Sequence, residues 1–214
     1  MNEKAPAGAL LVFTKAPVEG QVKTRLIPEL GRRGALDLYE ELLTATLDTA
    51  MKAGFSSLQI WVSGDVEHSY FKKFKNQHNV NFYEQKGEDL GERMFHAFDT
   101  ALHLHDYAVI IGCDCPSLEY TDLIAAKDYL ENKTNVVLGP AVDGGYYLIA
   151  LRNIHREVFA DIKWGEASVF SDTCANIESL NWTLGLLEKR WDVDRPADLV
   201  RYFKFKEEAA QLTY

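Results

Sequence analysis

The sequence predicts an α/β protein in which a mainly parallel, mixed sheet lies between two layers of helices. Two observations lead to this prediction. Short apolar runs alternate along the 214 residues with longer segments of helical periodicity, and the intervening segments are long enough for crossover helices. The link between residues 138 and 146 is too short for such a helix, which predicts a hairpin or a shift within the sheet, and hence one antiparallel strand.

Seven short runs have the apolar, β-branched or aromatic composition that is typical of strands. They cover residues 9–13, 58–62, 80–83, 107–111, 135–138, 146–151 and 182–187.

Six further segments are predicted to be helices. In the first of these, Leu36, Tyr39, Leu43 and Leu47 recur at steps of three and four residues, and Gly54 is expected to end the helix. The other helices are predicted at residues 67–76, 90–103, 123–130, 168–179 and 197–205.

The composition is that of an ordinary globular protein, with 47% hydrophobic and 26% charged residues. We expect a single domain over residues 1–214. No apolar run approaches the roughly 20 residues that span a bilayer. The run at 9–13 is shorter than the apolar core of a signal peptide, about 7–15 residues, so a cytoplasmic protein is expected.

The charge pattern restricts the partners. A formal net charge of −9 argues against a nucleic-acid partner. The local basic cluster is too small for a duplex but suits a single polyphosphate. It consists of Lys15, Lys23, Arg25, Arg32 and Arg33. The three cysteines, Cys113, Cys115 and Cys174, do not form a disulfide framework, and we expect buried thiols.

Four loops follow predicted strands at the edge where open α/β sheets bind their ligands. They are residues 14–28, 85–93, 112–118 and 139–145. The first reads TKAPVEGQVKTRL and carries Lys15, Lys23 and Arg25 around a glycine. Lysine and arginine can form charge-assisted hydrogen bonds to phosphate, although neither a P-loop nor a G-x-G-x-x-G motif is present. The alternative is a solvated surface loop.

The loop QKGEDLGERM allows two interpretations. Asp89 is well placed to begin a helix, where its charge is favourable at the helix N-terminus. In the second interpretation, Gln85 and nearby backbone groups, including Gly91, contact a base or a sugar. The residues alone leave both interpretations open.

Asp114 in GCDCPSL follows a buried strand, where a bare carboxylate requires water, hydrogen bonds or a cation. It could bind Mg²⁺ (or Mn²⁺) together with phosphate oxygens and water. It could instead cap the following helix, although Ser117 could also supply that cap.

Two further acidic segments have comparable alternatives. Asp143 with Gly144 and Gly145 could lie close to a ligand, or could form a hairpin turn. Asp192 and Asp194 lie on the same side if their segment is extended, while Asp194 could also cap the helix near residue 196.

These motifs together resemble a known family over nearly the whole chain. They are FTKAPVEGQVKTRL, QKGEDLGERM, GCDCPSL, GPAVDGGYYLI and DVDRPADL. The family is an uncharacterised bacterial group of glycosyltransferase-like proteins, of the radical-SAM/selenodomain-associated type. It is similar to the phospholactate and molybdenum-cofactor guanylyltransferases. In those relatives a Gly-rich G-G-x-S-x-R loop stands where this chain has TKAPVEGQ.

The resemblance implies the nucleotide-diphospho-sugar transferase fold, a GT-A-like α/β/α sandwich. It also assigns roles: phosphate binding to Lys15, Lys23 and Arg25, metal binding to Asp114, Asp194 and Asp192, and the acceptor side to Asp143, Gly144 and Gly145. It implies a metal-dependent transferase that acts on a nucleotide and a small-molecule acceptor, by nucleotidyl or by glycosyl transfer. The alternative is a non-catalytic nucleotide- or phosphometabolite-binding module.

Overall fold

A computed structural model describes residues 7–78 and 80–211, in which seven strands form one sheet in the order β3-β2-β1-β4-β6-β5-β7. The strands are β1 (Gly8–Lys15), β2 (Ser57–Ser63), β3 (Asn81–Glu84), β4 (Tyr107–Gly112), β5 (Val136–Pro140), β6 (Tyr146–Leu151) and β7 (Leu184–Leu186). Strand β6 runs antiparallel to β4 and β5, and the other pairings in the described part of the chain are parallel. The predicted mixed sheet with one antiparallel strand is confirmed.

The six predicted helices are present, some with different ends. They are α1 (Ile27–Lys52), α2 (Ser69–Gln77), α3 (Leu90–Leu102), α4 (Tyr120–Glu131), α5 (Val169–Ser179) and α6 (Pro196–Gln211). Helix α1 begins earlier than residue 36 because Pro28 suits a first helical turn, and Gly31, with φ 70°, interrupts the helix without ending it. Helix α6 is longer than predicted.

The side chains of β1 show how the sheet divides the core. Leu10 and Val12 belong to a buried cluster with α1, α2 and α4, whereas Leu11 and Phe13 belong to a second cluster with α3 and α5. Successive strand residues point to opposite faces, so a strand that is apolar throughout must be covered on both. Burying each large aliphatic side chain contributes about 1.5–3 kcal/mol. The expected α/β/α sandwich is confirmed.

A third cluster holds the segment between β7 and α6 in place. Trp191 and Val193 pack with Leu199 and Tyr202 of α6 and with leucines of α1. Val193 is completely buried. Since side chains alternate along an extended chain, burial of Val193 directs the two flanking aspartates to the other side.

The strand order reverses between β1 and β4, which are neighbours in the sheet although β2 and β3 separate them in sequence. A crevice forms at such a switch point outside the carboxyl ends of the strands. Because β1, β3, β4 and β5 run in the same direction, the four predicted loops lie at this one edge. Within residues 7–78 and 80–211, no helix combines the length and apolar character needed to cross a membrane.

Candidate active site

A cavity of about 590 Å³ opens at the carboxyl edge of the sheet. Its wall contains most of the residues that the sequence singles out as candidate site residues. These are Lys15, Lys23, Arg25, Gln85, Asp114, Asp143, Gly145, Asp192 and Asp194. The predicted basic and acidic loops therefore converge on one space.

Gly91 and Gly144 are not part of the cavity wall. A Cβ atom on Gly91 would lie 2.7 Å from Cζ2 of Trp164, and one on Gly144, where φ is 95°, would lie 2.2 Å from the carbonyl oxygen of Ala167. Both positions thus require glycine for close packing. The structure does not bring these two glycines to the cavity, although Trp164, against which Gly91 packs, is part of its wall.

Lys23 is a fixed internal cation. Its backbone is left-handed, with φ 46°, and its side chain is only 3% exposed. Its Nζ lies 2.6 Å from Oδ1 of Asp114 and donates to the carbonyl oxygen of Val193 at 2.6 Å. Lys23 therefore joins the loop after β4 to the segment after β7, and places a positive charge between them.

Arg25 differs from Lys23 because its contact is exposed. The guanidinium pairs with Asp194, and the two side chains are 60% and 44% exposed. Exposed ion pairs contribute about 0–1 kcal/mol, so Arg25 can exchange this partner for a ligand at little cost. The Lys15 side chain is also exposed at the cavity.

Tyr39, which sequence reasoning assigned to the core alone, connects the ends of β1 and β4. Its hydroxyl accepts from the backbone N–H of Lys15 at 2.7 Å and lies 2.8 Å from Oγ1 of Thr14, while Cys113 donates its thiol to it at 3.5 Å. Burial raises the pKa of Tyr39 well above its ordinary value. The hydroxyl thus remains protonated and fixes the start of the basic loop.

The cysteines beside Asp114 are buried, free thiols, as expected, whereas Cys174 in α5 is free but only partly buried. Burial raises the pKa of Cys113 to about 11 and that of Cys115 to about 12. Both are therefore uncharged at neutral pH and poor nucleophiles.

Gln85 is held in one orientation at the cavity. Its side-chain amide donates to the carbonyl oxygens of Thr14 at 3.1 Å and Trp61 at 2.9 Å. The amide oxygen is left as the group that can accept a hydrogen bond from a ligand. In the same loop Asp89 caps α3 by accepting from the N–H of Glu92 at 2.8 Å, which confirms the helix-start interpretation.

Asp192 has the least compensated charge in the site. Its Oδ1 is buried and has no hydrogen-bond partner in the described part of the chain. Burial, followed by the charges of Asp143 and Asp114, raises the pKa of Asp192 to about 7. Asp143 lies in the hairpin turn, where its Oδ1 accepts from the N–H of Gly145 at 2.9 Å.

Asp114 is not a helix cap. Helix α4 begins at Tyr120, and Glu119 and Asp122 form a capping box there. The proposed capping role of Ser117 is wrong, because its Oγ accepts from the N–H of Trp191 at 3.2 Å. Asp194 pairs with Arg25 rather than capping α6.

The residues fit a hard divalent cation by their chemistry. The carboxylates of Asp114, Asp192 and Asp194 supply oxygen ligands, and the buried Oδ1 of Asp192 needs a positive partner. Within the described residues, no three metal-binding side chains form a ready-made cluster. Mg²⁺ does not require one, since one or two protein carboxylates with phosphate oxygens and water complete its coordination.

Part of the wall comes from a segment that the sequence did not indicate. Trp164, Gly165 and Glu166 precede α5 and line the cavity, whereas Arg93, which also lines it, belongs to the predicted loop 85–93. The described part of the wall contains no histidine. The rule that assigns sites to loops after parallel strands misses residues 164–166, because they follow the antiparallel β6.

Solved structures share this fold. A candidate nucleotide-diphospho-sugar transferase from Desulfovibrio desulfuricans G20 is 34% identical, with a TM-score of 0.80 over 88% of this chain and 82% of that one. A 4-diphosphocytidyl-2C-methyl-D-erythritol synthase from Anaerococcus prevotii DSM 20548 is 10% identical, with a TM-score of 0.62 and coverage of 94% and 96%. Rv0371c from Mycobacterium tuberculosis H37Rv, in complex with manganese, is 17% identical, with a TM-score of 0.56 and coverage of 91% and 97%.

The sequence comparisons give the family. No curated protein matches the chain. A family model described as "Uncharacterized protein conserved in bacteria (DUF2064)" matches residues 46–166, which include β4, Asp114 and the Asp143 turn. The chain therefore belongs to this bacterial family, DUF2064.

Proposed function

We propose that this chain is a single-domain, metal-dependent transferase that uses a nucleotide substrate. The reaction is nucleotidyl transfer from an NTP to a phosphorylated small-molecule acceptor, or glycosyl transfer from an NDP-sugar. One observation carries the proposal: four aspartates and four basic side chains line one cavity at the switch point of the sheet, and one carboxylate there has a buried oxygen without a partner among the described residues.

The neighbours of the same fold support this proposal. The name of the Anaerococcus prevotii protein denotes a cytidylyl compound, that of the Desulfovibrio protein a nucleotide-diphospho-sugar, and the Mycobacterium protein was crystallised with manganese. The family that the sequence motifs resemble is itself similar to the phospholactate and molybdenum-cofactor guanylyltransferases, which also act on nucleotides.

The basic loop is proposed to bind the phosphates. Arg25 and Lys15 are exposed at the cavity and can turn to phosphate oxygens, while Lys23 is fixed and supplies a constant positive charge. In either reaction the leaving group is a phosphate-bearing anion. Cations that are in position before the reaction stabilise the developing charge most effectively, because they need not reorganise.

Asp114, Asp192 and Asp194 are proposed to hold Mg²⁺ or Mn²⁺. When bound, such an ion neutralises phosphate oxygens and acts as a Lewis acid on the leaving group. Lys23 keeps one oxygen of Asp114 occupied, which orients the carboxylate towards the cavity. Asp143 and Gly145 are proposed to form the acceptor side, together with the half-buried Trp164.

A binding module that does not turn over its ligand would use the same cavity. The test is therefore a screen in two stages. Thermal shifts with NTPs and NDP-sugars, with and without Mg²⁺ or Mn²⁺, should show stabilisation that requires the metal. The best nucleotide is then assayed for release of pyrophosphate or nucleoside diphosphate with mixed acceptors. Metal-dependent binding without either product supports the binding module, and no metal-dependent shift contradicts the proposal.

Arg25→Ala is expected to weaken binding of the best nucleotide by about tenfold, the effect of one charge-assisted hydrogen bond. Its melting temperature should stay close to that of the wild type, because an exposed ion pair contributes little. Isothermal titration measures the affinity. The matched control is Arg33→Ala, which removes an arginine that is 69% exposed from an ion pair with Asp37. Equal affinity of the two variants would exclude Arg25 from the site.

A further inference from the structure

The segment that carries Asp192 and Asp194 has no regular secondary structure, yet it is held to two other loops. The N–H of Arg190 donates to Pro140 and its carbonyl accepts from Val142, both at 3.0 Å. The N–H of Val193 donates to the carbonyl oxygen of Asp114 at 2.9 Å. These bonds join the segment to the loops that carry Asp143 and Asp114.

Arg190 anchors this segment through its side chain. Its Nε and Nη2 donate to the two oxygens of Asp122 at 3.0 and 2.9 Å, and the two side chains are 16% and 7% exposed. Asp122 also accepts from the N–H of Glu119 at the start of α4. A bidentate pair of this kind fixes both distance and orientation. The start of α4 is thereby tied to the residue two positions before Asp192.

The site needs such an anchor because its carboxylates repel one another. Asp192 feels the negative charges of Asp143, Asp114 and Asp194, and of these carboxylates Asp114 and Asp194 pair with basic side chains. Without a cation, this repulsion favours displacement of the segment away from the other two loops. Arg190 is not part of the cavity wall, so it can oppose the displacement only through the backbone that it holds.

We infer that Arg190 and Asp122 are positioning residues of the candidate metal site, and that their ion pair keeps the site preformed in the metal-free protein. The inference rests on the proposed function. Groups that orient metal ligands typically change metal affinity by about 10–100-fold when they are removed. Loss of this pair should accordingly weaken metal binding without touching a ligand.

The test uses Mn²⁺ alone as the probe, with its affinity measured by isothermal titration and by the electron paramagnetic resonance signal of free Mn²⁺. Arg190→Met should lower the affinity at least tenfold. Arg190→Lys keeps the charge but not the bidentate geometry, so a smaller, several-fold loss is expected, and it provides a milder variant if the first does not fold.

The matched control is Arg152→Met. Arg152 donates to the carbonyl oxygen of Leu130 at the other end of α4, away from the cavity. Its removal should lower the melting temperature but leave Mn²⁺ affinity unchanged. If folded Arg190 variants bind Mn²⁺ with wild-type affinity, or if Arg152→Met loses as much Mn²⁺ affinity as they do, the inference is wrong while the proposed function stands. A wild-type protein that binds no Mn²⁺ overturns the metal-dependent function together with it.

Discussion

Asp114→Asn is expected to abolish metal-dependent nucleotide binding, with a loss of affinity greater than about 100-fold, because removing a ligand should exceed the effect of removing a group that only orients one. An amide is neutral and is a poor ligand for a hard cation. The fold should persist, since the amide oxygen can still accept from Nζ of Lys23. Isothermal titration with Mg²⁺ and the best nucleotide measures the affinity, and a thermal melt verifies folding.

Asp37→Asn is the control for this experiment. It removes the same charge from an exposed ion pair with Arg33, outside the cavity. The control should bind like the wild type. If Asp114→Asn also binds the nucleotide with wild-type, Mg²⁺-dependent affinity, Asp114 is not a metal ligand and the proposed mechanism loses its central residue.

Asp192→Asn is expected to stabilise the metal-free protein at pH 8 by about 2–4 kcal/mol. The pKa of Asp192 is raised from 3.8 to about 7, mainly by burial, and each unit corresponds to about 1.4 kcal/mol. The carboxyl group of Asp192 therefore binds its proton more tightly in the folded protein than in the unfolded chain. The stability that this protonation contributes is fully present below about pH 4 and is lost as the pH rises towards 7. The asparagine amide carries no charge at any of these pH values, so the variant does not lose this stability as the pH rises.

The measurement is urea unfolding in EDTA between pH 4 and 8, for the wild type and the variant. The free energy of unfolding of the variant should exceed that of the wild type by an amount that grows from pH 4 to about pH 7 and then levels off. Addition of Mg²⁺ at pH 8 should stabilise the wild type but not the variant. Parallel stability curves would show that Asp192 ionises in the folded protein as it does in the unfolded chain.

The sequence predicts most of the fold because its signals are local. The apolar runs at β1 and β4 require burial on both faces, and the spacing of Leu36, Tyr39 and Leu43 gives the buried face of α1. The link between β5 and β6 is too short for a helix, which predicts the antiparallel strand. Element ends are less well determined, as the early start of α1 at Ile27 shows.

Only part of the candidate site can be predicted from the sequence, namely the residues whose position follows from the strand they adjoin. Residues that directly follow parallel strands, such as Asp114 and Lys15, must lie at one edge of the sheet. Trp164 and Glu166 reach that edge only after the chain has left β6 at the opposite end, and no local pattern reports this path. Arg190 is equally hidden, because its role depends on Asp122, 68 residues away in sequence.

The sequence by itself determined the fold class, the strand-end loops and the identity of the charged residues there. Only the tertiary structure decided how those charges are paired: Lys23 is buried on Asp114, Arg25 is exposed on Asp194, and Oδ1 of Asp192 has no partner among the described residues. The physical reason is that periodicity and composition report which residues are buried within one element. The pairing of charges depends on which distant elements the packed core brings within hydrogen-bonding distance.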